Sequence, residues 1–154
     1  MVRYLKTYRQ TGEQVMKRAM FIGRWQPMHN GHKWLISQKL DKEIPVLICV
    51  RDIPPDEKNP FTTTQTVEMI EDVYSEKDVE VMVIPDIESV NWGRGVGYET
   101  NEHKPPLNVG FVSATNIRES IANGTDEWKE NVDEKIHDKV INYLREMNLE
   151  TKKY

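Results

Sequence analysis

The sequence predicts an α/β fold: a doubly wound parallel sheet in a single domain, closed by a C-terminal helix. Three observations carry this. Short, nearly unbroken apolar runs recur at residues 19–22, 44–50, 79–84 and 109–112, as in strands buried on both faces. Segments with helical spacing separate most of them. Two of the strand–helix junctions are rich in glycine, histidine or hydroxyl residues, the composition of loops built around anions.

Residues 1–18 read as a polar, basic N-terminal extension with Arg3, Lys6, Arg9, Lys17 and Arg18. Thr11-Gly12-Glu13-Gln14 has the form of a helix start, Thr11 capping and Gln14 reaching back. Such an extension is usually a solvated face; an oligomer arm or an RNA contact is the lesser reading. The domain itself is expected over residues 19–150. Strand one (19–22) runs through a loop into a helix over 33–40, with Asn30 as its cap. Strand two (44–50) is followed by a loop with three prolines over 52–60. Val67, Ile70 and Tyr74 stand at i, i+3 and i+7 and predict a helix over 64–74. Pro85 stops strand three (79–84). Residues 86–108 are irregular, and a fourth strand is expected over 109–112. A helix over 114–122 ends at Asn123-Gly124. The last helix, 128–147, gathers Val132, Ile136, Val140, Tyr143, Leu144 and Met147 on one face. Alternation of this kind predicts right-handed crossovers and helices on both faces of the sheet, a Rossmann-like architecture.

Composition narrows the functional classes. The chain has 154 residues, 38% apolar and 30% charged, with a formal charge of −4. That balance argues against a general nucleic-acid binder. No apolar stretch reaches membrane-spanning length and no signal-peptide core is visible, so a cytoplasmic protein without a membrane partner is expected. The single cysteine, Cys49, lies within strand two and reads as a small core hydrophobe. Trp34 and Trp128 read as packing residues.

The first junction is Gly23-Arg24-Trp25-Gln26-Pro27-Met28-His29-Asn30-Gly31-His32. A helix start presents free N–H groups and the positive end of the dipole. Gly31 permits close approach to the backbone, Pro27 stiffens the turn, and imidazoles donate to phosphate oxygens. A polar loop with surface histidines, or half of a metal site, would use the same residues. For a metal, only His103, His137 and Cys49 remain as histidine or cysteine ligands, and none stands at ligand spacing.

The second junction is Ser113-Ala114-Thr115-Asn116-Ile117-Arg118. A cation in a first helical turn is unfavourable by roughly 0.3–1 kcal/mol against the dipole, and a bound polyphosphate would compensate it. Ser113, Thr115 and the Arg118 fork would then form an anion cradle. Alternatively Ser113 or Thr115 is a plain cap and Arg118 pairs with Glu119 or Asp126. At the end of strand two, Arg51 is placed to bind an acceptor phosphate, or to pair with Asp52 or Asp56. Trp92 is placed to stack on an acceptor ring. Gly93-x-Gly95-x-Gly97 lacks a following helix and is no dinucleotide fingerprint.

Together the two junctions resemble the HxGH and SxTxxR signatures of the nucleotidylyltransferase superfamily. Within it the chain looks most similar to archaeal-type nicotinamide mononucleotide adenylyltransferases, whose GRFQPxHxGH segment is met here with Trp25 for Phe. Asn59-Pro60-Phe61-Thr62 opening a helix, and Gly124 and Trp128 before the last helix, fit the same pattern. The Trp92–Tyr98 loop and the compressed stretch before the second motif depart from it. The resemblance implies transfer of a nucleotidyl group, AMP from ATP, to a phosphate monoester such as nicotinamide mononucleotide, with release of pyrophosphate. It implies that His29, His32 and Arg118 act on the triphosphate. Gly23, Arg24, Trp25, Gln26, Gly31, Ser113, Thr115 and Asn116 would bind the nucleotide, and Mg²⁺ would ride on its phosphates. Arg51 and Trp92 would face the acceptor, no protein metal ligands are expected, and a homo-oligomer is compatible. A cytidylyltransferase using CTP and a polyol or amino-alcohol phosphate is the sibling reading. Those enzymes usually carry two consecutive threonines where this chain has Ala114-Thr115-Asn116. A non-catalytic nucleotide sensor is the reading from another class.

Overall fold

The structure, a computed structural model, describes residues 17–151. Three strands, β1 (Ala19–Gly23), β2 (Val46–Asp52) and β3 (Val79–Pro85), form one parallel sheet in the order β1-β2-β3. Ala19 lies opposite Val46, and Val46 opposite Val79. The strands therefore start level and deliver their C-terminal ends to one edge. The crossovers are α1 (Asn30–Leu40) and α2 (Thr63–Val73).

β2 is the central strand, and its apolar run is explained by burial: Val46, Ile48, Cys49 and Val50 are each at most 2% exposed. Pro85 closes β3 as its last paired residue, since proline has no N–H for a further ladder bond. At the opposite edge Arg18 clips the strand starts together. It donates to the carbonyls of Val46 (3.1 Å) and Asp78 (3.3 Å) and pairs with the Asp78 carboxylate at 2.8 Å.

After β3 the chain is irregular to residue 106. A one-turn helix α3 (Leu107–Gly110) follows, then α4 (Ala114–Ala122), two 3-10 turns (Glu127–Asn131 and Glu134–Ile136), and α5 (His137–Thr151). Two expectations are corrected here. The fourth strand is absent among the described residues: residues 107–110 are helical, with Val109 and Gly110 N–H groups donating to the Pro106 carbonyl at 3.0 and 2.8 Å. A four-residue apolar run has no period of its own, and Pro106, extended at the N-cap, starts a turn here. The last helix also begins later than expected, at His137. The Asp133 side chain caps Lys135 N–H at 3.0 Å, and His137 Nε2 bonds the Val132 carbonyl at 2.8 Å, so residues 127–136 pack as separate turns.

The core joins sheet and helices through Phe21, Ile48, Ile36, Met69, Ile70, Ile117, Trp128, Ile136 and Val140. α5 is held to α2 by Tyr143 donating to Glu68 and by Lys139 pairing with Asp72. The expected helix start at Thr11 and all of the N-terminal extension except Lys17 and Arg18 lie outside the described residues. No helix among the described residues is long and apolar enough to cross a membrane.

Candidate active site

The two motif histidines are fixed by their own backbone. His29, not Asn30, is the N-cap of α1. Its Nδ1 accepts from the N–H groups of Gly31 (3.0 Å) and His32 (3.3 Å). His32 returns the favour: its Nδ1 accepts from the His29 N–H at 3.2 Å. This is a capping box built from imidazoles. An Nδ1 that accepts is unprotonated, so a neutral ring carries its proton on Nε2. The rings stack with centroids 3.7 Å apart and planes at 15°. Burial pulls the His29 pKa down from 6.5 to about 4. Burial, then the neighbouring His29, pulls His32 down to about 3. Both rings are therefore neutral at physiological pH, each with one free donor, Nε2–H. Two first-turn backbone donors, the Gly31 and His32 N–H groups, are taken by His29, and the imidazoles present Nε2–H donors beside them.

The loop beneath is built to hold this pair. Trp25 has φ +54°, a left-handed conformation that a bulky residue adopts only under tertiary constraint. Its indole is 2% exposed and donates to the Cys49 carbonyl at 3.0 Å. It meets His32 edge-on at 4.8 Å. The indole is a wall behind His32, so any part Trp25 takes in nucleotide binding falls to its main chain. Gly23 and Gly31 serve the same packing. A Cβ at Gly23 would lie 2.9 Å from the Trp25 ring, and one at Gly31 would lie 2.8 Å from His29 Cε1. Gly31 makes room for the His29 imidazole. Gln26 anchors the same loop by its side chain. That side chain is 5% exposed and engaged with Phe61 and Thr66. Asn30 donates to the Glu130 carbonyl at 3.0 Å, and Lys33 pairs with Asp133 at 2.7 Å, so the first turn of α1 is tied to the C-terminal segment.

The second motif abuts the first. The Val112 carbonyl lies 3.7 Å from where a Gly31 Cβ would be. Ser113 caps α4 by accepting from Asn116 N–H at 3.1 Å. Asn116 and Thr115 are exposed on the first turn. Arg118 pairs with neither Glu119 nor Asp126. It donates Nη1 to the Gln26 carbonyl at 2.8 Å and Nη2 to Thr115 Oγ1 at 3.4 Å. One guanidinium thereby joins both motifs. Its pKa is lowered chiefly by burial and also by Arg24, against the opposing pull of Asp56 and Glu119.

Residues 20–147 match the cytidylyltransferase-like family. The chain belongs to the cytidylyltransferase-like family. Individual relatives agree. The chain is similar to the nicotinamide-nucleotide adenylyltransferase of Pyrobaculum aerophilum, 26% identical with 75% of this chain and 82% of the relative covered. For that of Thermococcus kodakarensis the identity is 28%, covering 75% and 78%. For that of Methanocorpusculum labreanum it is 37% over 73 residues, covering 46% of this chain and 43% of the relative.

In this cytidylyltransferase-like protein the remaining candidates divide. Arg24 is exposed, with no hydrogen bond or ion pair among the described residues, in the electrostatic reach of both Arg118 and Asp56. Arg51 pairs with Asp86, through Nε at 2.7 Å. Trp92 is 55% exposed in the loop after β3. No group of three or more His, Cys, Asp or Glu side chains among the described residues is placed to hold a metal. His137 faces Trp128 and the Val132 carbonyl. Cys49 is a buried free thiol whose pKa burial raises to about 11. Three residues make contacts that the sequence did not assign to them. Asp56 accepts from Lys58 N–H, Asn59 N–H and Asn59 Nδ2, a turn that the string Pro55-Asp56-Glu57-Lys58-Asn59 signals. Asn59 itself is buried, and its Oδ1 has no protein partner. Asp86, partner of Arg51, carries no local signal, because the pairing spans two strands.

Proposed function

We propose that the protein transfers the adenylyl group of ATP to the phosphate of nicotinamide mononucleotide, releasing pyrophosphate. A phosphate oxygen of the acceptor forms the new bond to the α-phosphorus of ATP. The α–β anhydride bond breaks, and its electron pair leaves with pyrophosphate. No enzyme nucleophile and no proton transfer from the enzyme are required, so catalysis rests on positioning and on stabilising charge on phosphate oxygens.

The observation that carries the reading is the histidine pair. With both Nδ1 atoms engaged by backbone, each ring has only an Nε2–H to offer. Two such donors beside a guanidinium anchored to the same loop suit a chain of anionic oxygens better than a metal ion, which needs unprotonated ring nitrogens. The first-turn N–H groups of Ala114 and Thr115, left open when Ser113 caps Asn116, add donors at a helix N-terminus. Arg24 lies in the electrostatic reach of Arg118, and the repulsion between these two cations is relieved by a polyphosphate. Arg118 and Ser113 would hold the departing pyrophosphate.

Adenylyl transfer to nicotinamide mononucleotide is favoured over the CTP reaction by the names of the three relatives. Arg51 and Trp92 are the acceptor contacts in this reading: Arg51 would exchange Asp86 for the acceptor phosphate, and Trp92 would cover the ring. In this reading Mg²⁺ would be held through the phosphate oxygens of the triphosphate. The ion would neutralise phosphate charge.

A pyrophosphate-release screen tests this, pairing ATP and CTP with nicotinamide mononucleotide and with polyol and amino-alcohol phosphates. The reading predicts release with ATP and nicotinamide mononucleotide. Release only with CTP would convert it to a cytidylyltransferase, and ATP binding without release from any pair would make the protein a sensor.

A further inference from the structure

We propose that Gln26 is a positioning residue that sets Arg118 against the triphosphate through the main chain, without touching substrate. The side-chain amide of Gln26 forms a closed pair with the backbone of Phe61. The Phe61 N–H donates to Oε1 at 3.0 Å, and Nε2 donates back to the Phe61 carbonyl at 3.2 Å. Nε2 also donates to Thr66 Oγ1 at 3.3 Å. These bonds are buried, where an unmade hydrogen bond is most costly. They fasten the first motif to the N-terminal end of α2, across 35 to 40 residues of sequence.

The main-chain carbonyl of the same residue receives Arg118 Nη1 at 2.8 Å. Among the described residues Arg118 has one other hydrogen bond, to Thr115 Oγ1 at 3.4 Å, too long to orient a guanidinium alone. The direction of the Gln26 carbonyl therefore decides where the guanidinium fork sits. That direction is held from one side by the side-chain clamp and from the other by Trp25, in its left-handed conformation. Any replacement side chain leaves the carbonyl in place but free to swing. Gln26 thus acts on the second motif from within the first, and α2 is the platform for both.

This assignment rests on Arg118 binding the triphosphate, so its test reads ATP affinity rather than turnover. ATP binding is measured by calorimetry for wild type, Gln26→Met, Arg118→Ala and the double variant. Gln26→Met keeps the volume and removes the clamp. Gln26→Met is expected to weaken ATP binding about tenfold, and the double variant to bind within about twofold of Arg118→Ala alone, since coupled sites do not add. Thr66→Val is the milder variant and decides the matter should Gln26→Met not fold. It is expected to weaken binding less, and to have no effect in the Arg118→Ala background. Multiplying losses in the double variants would overturn the role of Gln26 while leaving the nucleotide site intact. Wild-type protein that fails to bind ATP would overturn the site itself, and this role with it.

Discussion

His29 and His32 hold each other as hydrogen-bond donors. Each Nδ1 accepts from the main chain and each ring is drawn from water, so protonation is disfavoured twice. The sign of the resulting pH dependence follows. In the unfolded chain both rings titrate near 6.5; in the fold they titrate near 4 and near 3. Between these values the unfolded chain binds more protons, so their contribution to stability is complete above about pH 6.5 and declines as pH falls toward 4. Denaturant titrations across that window are expected to show up to two protons taken up on unfolding. Long-range nitrogen–proton NMR at pH 7 is expected to find two neutral Nε2–H rings. Replacing His32 by Ala removes one of these donors and is expected to lower turnover by on the order of 10²-fold, read by pyrophosphate release; full activity in that variant would remove His32 from the chemistry. Gly31→Ala pushes a methyl group to 2.8 Å from the His29 ring, and is expected to cost about 1–3 kcal/mol of stability by overpacking, read from the shift in denaturant midpoint. The residue types gathered here were legible from sequence, because two histidines around a glycine follow a strand pattern and open a helix. Their division of labour was not. The room that Gly31 leaves for His29, and the bonds by which Gln26 ties its loop to Phe61 and Thr66, have no local signal in the sequence.

Where periodicity or cap chemistry was strong, the elements matched their reading. The helix over residues 114–122 has the bounds expected from Ser113 and Asn123-Gly124, and β3 stops at Pro85. Where a segment was short and apolar, pattern could not choose. Residues 109–112 read as a strand and begin instead inside a one-turn helix behind Pro106. The C-terminal helix was likewise drawn too long, since Asp133 and His137 break it through contacts with their neighbours. At this scale the α4 cap joins structure to site. Ser113→Ala removes the bond to Asn116 N–H and is expected to destabilise the protein by about 1 kcal/mol, measurable in a denaturant titration. The hydroxyl that accepts from Asn116 keeps its own O–H for the pyrophosphate, so ATP affinity is expected to fall together with stability. A loss of affinity without a loss of stability would place the Ser113 hydroxyl on the nucleotide instead of on the helix.

Across the molecule, level strand starts and short parallel strands bring β1, β2 and β3 out at one edge. The first motif follows β1, Arg51 stands near the end of β2, and its partner Asp86 follows β3, so the candidate groups share the edge at which open α/β sheets bind ligands. The second motif reaches that edge without a fourth strand among the described residues: Arg118 bonds the Gln26 carbonyl, and Val112 lies against Gly31. Nucleotidyl transfer needs triphosphate and acceptor held together at such an edge, and little else from the protein. The most direct test is therefore a mass balance. ATP and nicotinamide mononucleotide are incubated with the protein, and pyrophosphate and the dinucleotide are quantified together. The account predicts equal amounts of the two products, with both lost in His32→Ala. Tight ATP binding by wild-type protein, with neither product formed, would contradict it.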